Sequence, residues 1–109
     1  IHYGLAAAMQ AVADAGIVAT EANAERIGVV IGSGIGGLPM IEETHAALEA
    51  GGVRKISPFF VPGSIINMIA GNLSINLGFK GPNLAIVTAC TTSTHSIGEA
   101  ARLIQHGDA

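Results

Sequence analysis

Apolar positions recur at helical spacing through Leu5, Met9 and Val12, and Gly16 ends the pattern, which predicts a first helix over residues 2–15. After a polar stretch, Arg26-Ile-Gly-Val-Val-Ile31 is a short β-branched run bounded by glycine, the signature of a buried strand. Helical spacing returns over residues 38–50 through Ile41, Ala47 and Leu48, and Gly51-Gly52 closes it. Pro58, Phe59, Phe60 and Pro62 favour an extended, non-helical connector over residues 53–62. Residues 64–77 predict a helix rich in small side chains, with Gly78 as its stop signal.

The last unit is a buried strand over residues 84–88 that stops at Cys90 and gives way to a helix over about 93–105, ended by Gly107. That helix carries Ser96, Gly98, Ala100 and Ala101, so neighbours are expected to approach it closely on several sides, as for a central helix. No internal repeat or low-complexity tract interrupts the pattern. Strands alternating with helices predict an α/β arrangement with a largely parallel sheet.

Cys90 is the only cysteine, and the residues after it change its reading. A lone cysteine is ordinarily a small buried hydrophobe. Thr91, Thr92, Ser93 and Thr94, however, are helix-starting types whose hydroxyls accept from free backbone N–H groups. Cys90 therefore falls at or just before a helix cap, where unpaired N–H groups and aligned peptide dipoles favour thiolate over thiol. This points to a nucleophile whose substrate is open: acyl, peptide or redox.

Composition adds a constraint. Hydrophobic residues make up 50% of the chain and charged residues 12%, about half the usual charged share. Polar side chain is too scarce to solvate a free-standing surface, so several faces are expected to pack against something else, as in a piece of a larger protein or one side of an extensive interface. The apolar runs 27–31 and 84–89 are far too short to span a membrane. Residues following Ile1 lack the basic segment, apolar core and cleavage site of a secretory leader, and a single cysteine allows no internal disulfide. Both features suit a soluble chain in a reducing cytoplasm. A net charge of −3 without runs argues against nucleic-acid binding. The triplet Asn72-Leu73-Ser74 is read as an accidental glycosylation match.

Gly32-Ser33-Gly34-Ile35-Gly36-Gly37 follows a strand, precedes a helix and satisfies the dinucleotide fingerprint. That fingerprint also needs a second strand and an acidic residue about 20 residues on. Residues 51–58 supply neither. A non-catalytic dinucleotide-binding module is thus the weaker alternative. The better reading is a glycine turn that lets backbone pass close to another element or a ligand, presenting Ile35.

Three segments carry a resemblance to a known family. They are Arg26-Ile-Gly-Val-Val-Ile-Gly-Ser-Gly-Ile-Gly-Gly-Leu38, Arg54-Lys-Ile-Ser-Pro-Phe-Phe-Val-Pro62 and Val87-Thr-Ala-Cys-Thr-Thr-Ser-Thr-His-Ser-Ile-Gly98. Together they resemble the β-ketoacyl-acyl carrier protein synthases, condensing enzymes of the thiolase-like superfamily. The last looks like the nucleophile segment, and the first two look like those of the type II enzymes of bacterial fatty-acid elongation. Ketosynthases of polyketide pathways share the nucleophile segment and are the alternative within the family. The resemblance implies a thiolase-like layered fold, αβαβα in the intact enzyme, with residues 1–109 forming part of the N-terminal domain.

It further implies a decarboxylative Claisen condensation. Cys90 takes an acyl group from acyl carrier protein as a thioester, and the carbanion left when malonyl-acyl carrier protein loses carbon dioxide attacks that group. A thiolate suits the first half, being both a good nucleophile and an adequate leaving group. By the family pattern the backbone N–H of Cys90 donates to the oxyanion. The two histidines and lysine that support decarboxylation belong to parts of the family's chain not matched here. Within this sequence, His95 lies five residues along a helix from Cys90, about 140° around it, and carries no catalytic role in the pattern. His2, His45 and His106 are expected at the surface or at helix ends.

Position by position, Gly34 and Ile35 match the residues that gate the acyl pocket, and Ala89 matches its wall. Phe60 matches a residue that reaches into the partner's acyl pocket in a homodimer, its plainer reading being a core aromatic. Arg54 and Lys55 match basic positions at the carrier-docking surface, where an acidic carrier would be attracted over distance. Their plainer reading is two solvated charges. No cofactor or metal is implied.

Overall fold

The computed structural model describes residues 1–109. Helix α1 spans His2–Ala15 and ends in Gly16, whose left-handed φ of 65° lets the Gly16 and Ile17 N–H groups donate back to Ala13 and Val12 carbonyls. Leu5, Ala8 and Val12 turn inward, so Ala8 takes the place expected of Met9, which is 45% exposed. Gly4 lets α1 lie close to its neighbour, since a Cβ there would press on Ile69.

Strand β1 is Val29–Val30 and strand β2 is Asn83–Leu84; they pair in parallel, Val29 with Asn83 and Val30 with Leu84. Between them run helices α2 (Leu38–Gly51), α3 (Phe60–Ser64) and α4 (Met68–Leu77), and after β2 comes α5 (Thr92–His106). The α/β class and the parallel pairing are as expected from the sequence. A core of Val29, Ala70, Leu73 and Phe79 joins β1 to α4, with Leu5 and Val12 of α1 covering it. The side-chain amide of Asn83 donates to the Ala70 carbonyl at 3.1 Å, fastening β2 to α4.

Several expectations need correction. Both strands are shorter than their apolar runs, because each needs a ladder partner and finds one over only two residues. The run after Leu84 is not buried either: Leu84 and Val87 are exposed. The connector 53–62 is not extended throughout. Residues Val53–Lys55 make a 3-10 turn, and Phe60 opens α3. Pro62 does not prevent this, since it occupies the first turn, where a missing N–H costs nothing. The helix expected over 64–77 is broken, because Ile65 is extended (φ −73°, ψ 141°) and α4 begins only at Met68. Gly36 crosses at this break, where a side chain would collide with the Ser64 carbonyl.

Nor is α5 enclosed. It packs on β1 and on the turn before it. Only Thr92 and Ser96 along it are buried, and a Cβ at Gly98 would meet nothing. Of its small residues Ser96 is buried and Ala100 partly so, whereas Gly98 and Ala101 are open because no neighbour covers that side.

A radius of gyration of 16.1 Å exceeds the roughly 13 Å of a compact chain this long. Tyr3, Val18, Val53, Phe59, Ile75 and Ile97 are each at least 70% exposed. The apolar faces that composition led us to expect are therefore present and open. No helix is long and apolar enough to cross a membrane.

Candidate active site

The backbone reverses abruptly around Cys90. Ala89 has a φ of 50°, the one positive value outside glycine, and opens a 3-10 turn, Ala89–Thr91, that leads directly into α5. An L-residue in that region crowds its Cβ against the backbone, so the surroundings must hold it there. Cys90 is exposed at this turn, and Thr91 forms the cap position of α5. The expected placement of the thiol at or just before the cap is thus met.

The hydroxyl-rich run acts differently from the expected cap. Thr91 makes no side-chain capping bond. Instead the buried Thr92 reaches backwards: its Oγ1 accepts from the Thr88 N–H at 3.0 Å and donates to the Ala89 carbonyl at 2.8 Å. Thr88 Oγ1 in turn lies 3.4 Å from His95 Nδ1. Among turn and cap hydrogen bonds, none uses the Cys90 N–H, whereas the Thr91 N–H is taken by the Thr88 carbonyl.

The glycine turn meets this corner directly. A side chain at Gly32 would collide with the Ile86 carbonyl and with Thr92 Cγ2. Close backbone passage, the role read for the glycines, is thus seen at Gly32 and Gly36. Beyond Gly32, the Ser33 hydroxyl donates to the Ile35 carbonyl at 2.8 Å and folds the loop on itself. Ile35 stands 66% exposed at its crest, beside an open Gly34.

Phe60, Arg54 and Lys55 lie apart from that corner. Phe60, half-buried, shares a cleft with Lys55 and with Met40, Glu43 and Thr44 of α2, while its neighbour Phe59 is 73% exposed. Arg54 and Lys55 occupy the 3-10 turn after α2, both exposed, with the Lys55 stem lying over Gly51. His2, His45 and His106 are exposed, as expected.

A hollow of about 660 Å³ lies along Ile17, Val18, Ile27, Leu103 and Ile104. It flanks the C-terminal end of α5, a helix about 22 Å long, and so is remote from Cys90. It has no part in chemistry at the thiol.

The residues missed in the sequence are Thr88 and Thr92 as a backbone clasp and Ala89 as a strained hinge. The four consecutive hydroxyl residues after Cys90 were the available signal, but the hydrogen bonds made there are those of Thr92 and run backwards rather than into α5.

Comparison with known proteins agrees with this geometry. The family described as Beta-ketoacyl synthase, N-terminal domain, matches residues 1–109. The 3-oxoacyl-acyl-carrier-protein synthase 2 of Vibrio harveyi is 62% identical over 109 residues, all of this chain and 26% of that protein. The protein of the same name from Coxiella burnetii is 56% identical over the same span. A beta-ketoacyl synthase from Burkholderia phymatum superposes with a TM-score of 0.76 at 26% identity, covering 97% of this chain and 26% of that one. A type II polyketide ketosynthase, solved in complex with its acyl-carrier protein, gives 0.74 at 28% identity over 78% of this chain and 24% of its own. The chain thus spans about a quarter of the length of its curated relatives.

Proposed function

The chain belongs to the β-ketoacyl synthase family, matched over its N-terminal domain, and from that premise we propose that it supplies the acyl-accepting nucleophile of a 3-oxoacyl-acyl carrier protein synthase. The observation that carries this reading is the presentation of Cys90: an exposed thiol on a turn held by a strained Ala89, immediately ahead of the 15-residue helix α5.

In the first half-reaction the Cys90 thiolate adds to the carbonyl carbon of an acyl thioester on the carrier. Collapse of the tetrahedral intermediate expels the carrier thiol and leaves the acyl group on Sγ. In the second, malonyl carrier protein loses carbon dioxide, and the electron pair of the broken bond becomes a carbanion. It attacks the Cys90 thioester, the Cys90 thiolate departs, and the product is a 3-oxoacyl chain two carbons longer. An oxyanion forms in both halves. The Cys90 N–H, unclaimed by any turn or cap acceptor, is available to it.

Fatty-acid elongation is favoured over polyketide synthesis by the 62% and 56% identities to synthase 2 proteins, against 28% to the polyketide ketosynthase. Ile35 on the exposed crest and Ala89 beside the thiol are assigned to the acyl pocket, with Gly34 giving the loop freedom to move. Acyl carrier protein is the partner, docking near Arg54 and Lys55. The enzyme is a cytoplasmic homodimer in which Phe60 approaches the partner's pocket.

Incubation of the full-length enzyme with acyl carrier thioester, followed by mass analysis, tests this. An acyl adduct on Cys90 that disappears with condensing activity in Cys90→Ala is expected. Full condensation by Cys90→Ala would overturn the reading.

A further inference from the structure

We propose that Thr92 is a positioning residue for the nucleophile, its hydroxyl locking the left-handed Ala89 and thereby aiming both Cys90 and the Cys90 N–H. This rests on the reading of Cys90 as the acyl acceptor and deepens it.

The two groups that Thr92 Oγ1 engages, the Thr88 N–H and the Ala89 carbonyl, bracket the torsions in which the chain makes its turn. A single hydroxyl thus fixes both ends of the segment that holds Ala89 at φ 50°. The Ala89 carbonyl also accepts a backbone N–H at the start of α5, but the Thr88 N–H bonds only to this hydroxyl, so without it the two sides of the turn are no longer tied through one atom, and an alanine eased there relaxes toward negative φ. The Thr92 side chain is itself well fixed. It is β-branched, 7% exposed, and its methyl lies where a Gly32 side chain would be.

The consequence for chemistry follows from the peptide plane. In a planar trans peptide the carbonyl of one residue and the N–H of the next point in opposite directions. Holding the Ala89 carbonyl toward Thr92 therefore turns the Cys90 N–H away from Thr92, free of internal acceptors. Losing the hydroxyl leaves that peptide held only by the backbone N–H at the start of α5 and lets it tilt, moving the oxyanion donor and the thiol together.

The test uses the intact enzyme, with single-turnover acyl transfer to Cys90, steady-state kcat and KM, and thermal unfolding measured side by side. Thr92→Val keeps the shape and removes the hydroxyl. It is expected to slow acyl transfer by at least about tenfold, within the range for a misplaced reacting group or donor, with KM for the acyl carrier little changed. Thr92→Ser, which keeps the hydroxyl, is expected to stay within about threefold of wild type, by the same reasoning. Adding Ala89→Gly to Thr92→Val is expected to recover part of the loss, because glycine adopts the left-handed region freely. Should Thr92→Val not fold, Thr92→Ala carries the same comparison.

Wild-type acyl transfer in Thr92→Val, an equal loss in Thr92→Ser, or no recovery from Ala89→Gly would each overturn the assignment. Cys90→Ala separates this from failure of the underlying reading. If it abolishes acylation while Thr92→Val does not impair it, only the role of Thr92 falls; if it still condenses, the nucleophile itself is wrong.

Discussion

Gly32 and Thr92 are so close that a side chain on the first would collide with the methyl of the second, as well as with the Ile86 carbonyl. The end of β1 and the start of α5 therefore meet through backbone on one side and a β-branched side chain on the other. Gly32→Ala is expected to destabilise the intact enzyme by about 1–3 kcal/mol, the usual cost of overpacking a fitted site. It should also slow acyl transfer, because relief of the clash displaces Thr92 and its clasp. Denaturant unfolding combined with single-turnover acylation checks both; a variant with wild-type stability would show that the contact yields without cost.

His95 is a chemically capable residue whose one hydrogen-bonding neighbour here is Thr88. Its Nδ1 sits 3.4 Å from Thr88 Oγ1, at the long limit for a hydrogen bond, and its side chain is exposed. His95→Ala is expected to leave condensation within about threefold of wild type, since general acid–base roles are worth about a hundredfold or more. A loss of two orders of magnitude in kcat would make it a participant.

What the sequence made legible divides along local and non-local lines. Helix ends set by glycine were readable because a left-handed cap depends on one residue: Gly16, Gly78 and Gly107 all close helices at φ between 65° and 81°. The helix start just after Cys90 was readable from the hydroxyl residues beside it, whereas the strand read as running up to the cysteine ends at Leu84, six residues ahead of it. The break at Ile65 was not, because it arises where Gly36, distant in sequence, crosses the Ser64 carbonyl. Likewise the hydroxyl types after Cys90 announced a helix start, but only the left-handed Ala89 decides that Thr92 bonds backwards to Thr88 and Ala89. Ala89 itself carries no sequence mark, since alanine is not a residue that favours positive φ.

Arg54 and Lys55 protrude together from the turn after α2, the only adjacent pair of basic residues in the chain. If an acidic carrier is drawn to them, reversing both (Arg54→Glu with Lys55→Glu) should raise KM for acyl carrier protein several-fold to about tenfold and leave kcat for bound substrate largely intact. Added salt should narrow the difference between variant and wild type, as screening weakens attraction beyond about 8–10 Å. Equal KM values at low salt would place the docking surface elsewhere.

The open apolar faces set the behaviour of residues 1–109 by themselves. Eight of the 109 residues are buried, while Tyr3, Val18, Phe59 and Ile97 stand in solvent. Exposed apolar area on that scale favours association. The core of Val29, Ala70, Leu73 and Phe79 has only α1 and neighbouring loops to shield it. The corner at Cys90 is built within the chain, yet the decarboxylating histidines and lysine expected from the family are absent from it. Residues 1–109 expressed alone are therefore expected to self-associate, to bind a hydrophobic dye and to form no 3-oxoacyl product. Size-exclusion chromatography with light scattering, dye fluorescence and a product assay check the three in one preparation. A monomeric fragment that releases 3-oxoacyl product would show that decarboxylation needs no group beyond those in this chain.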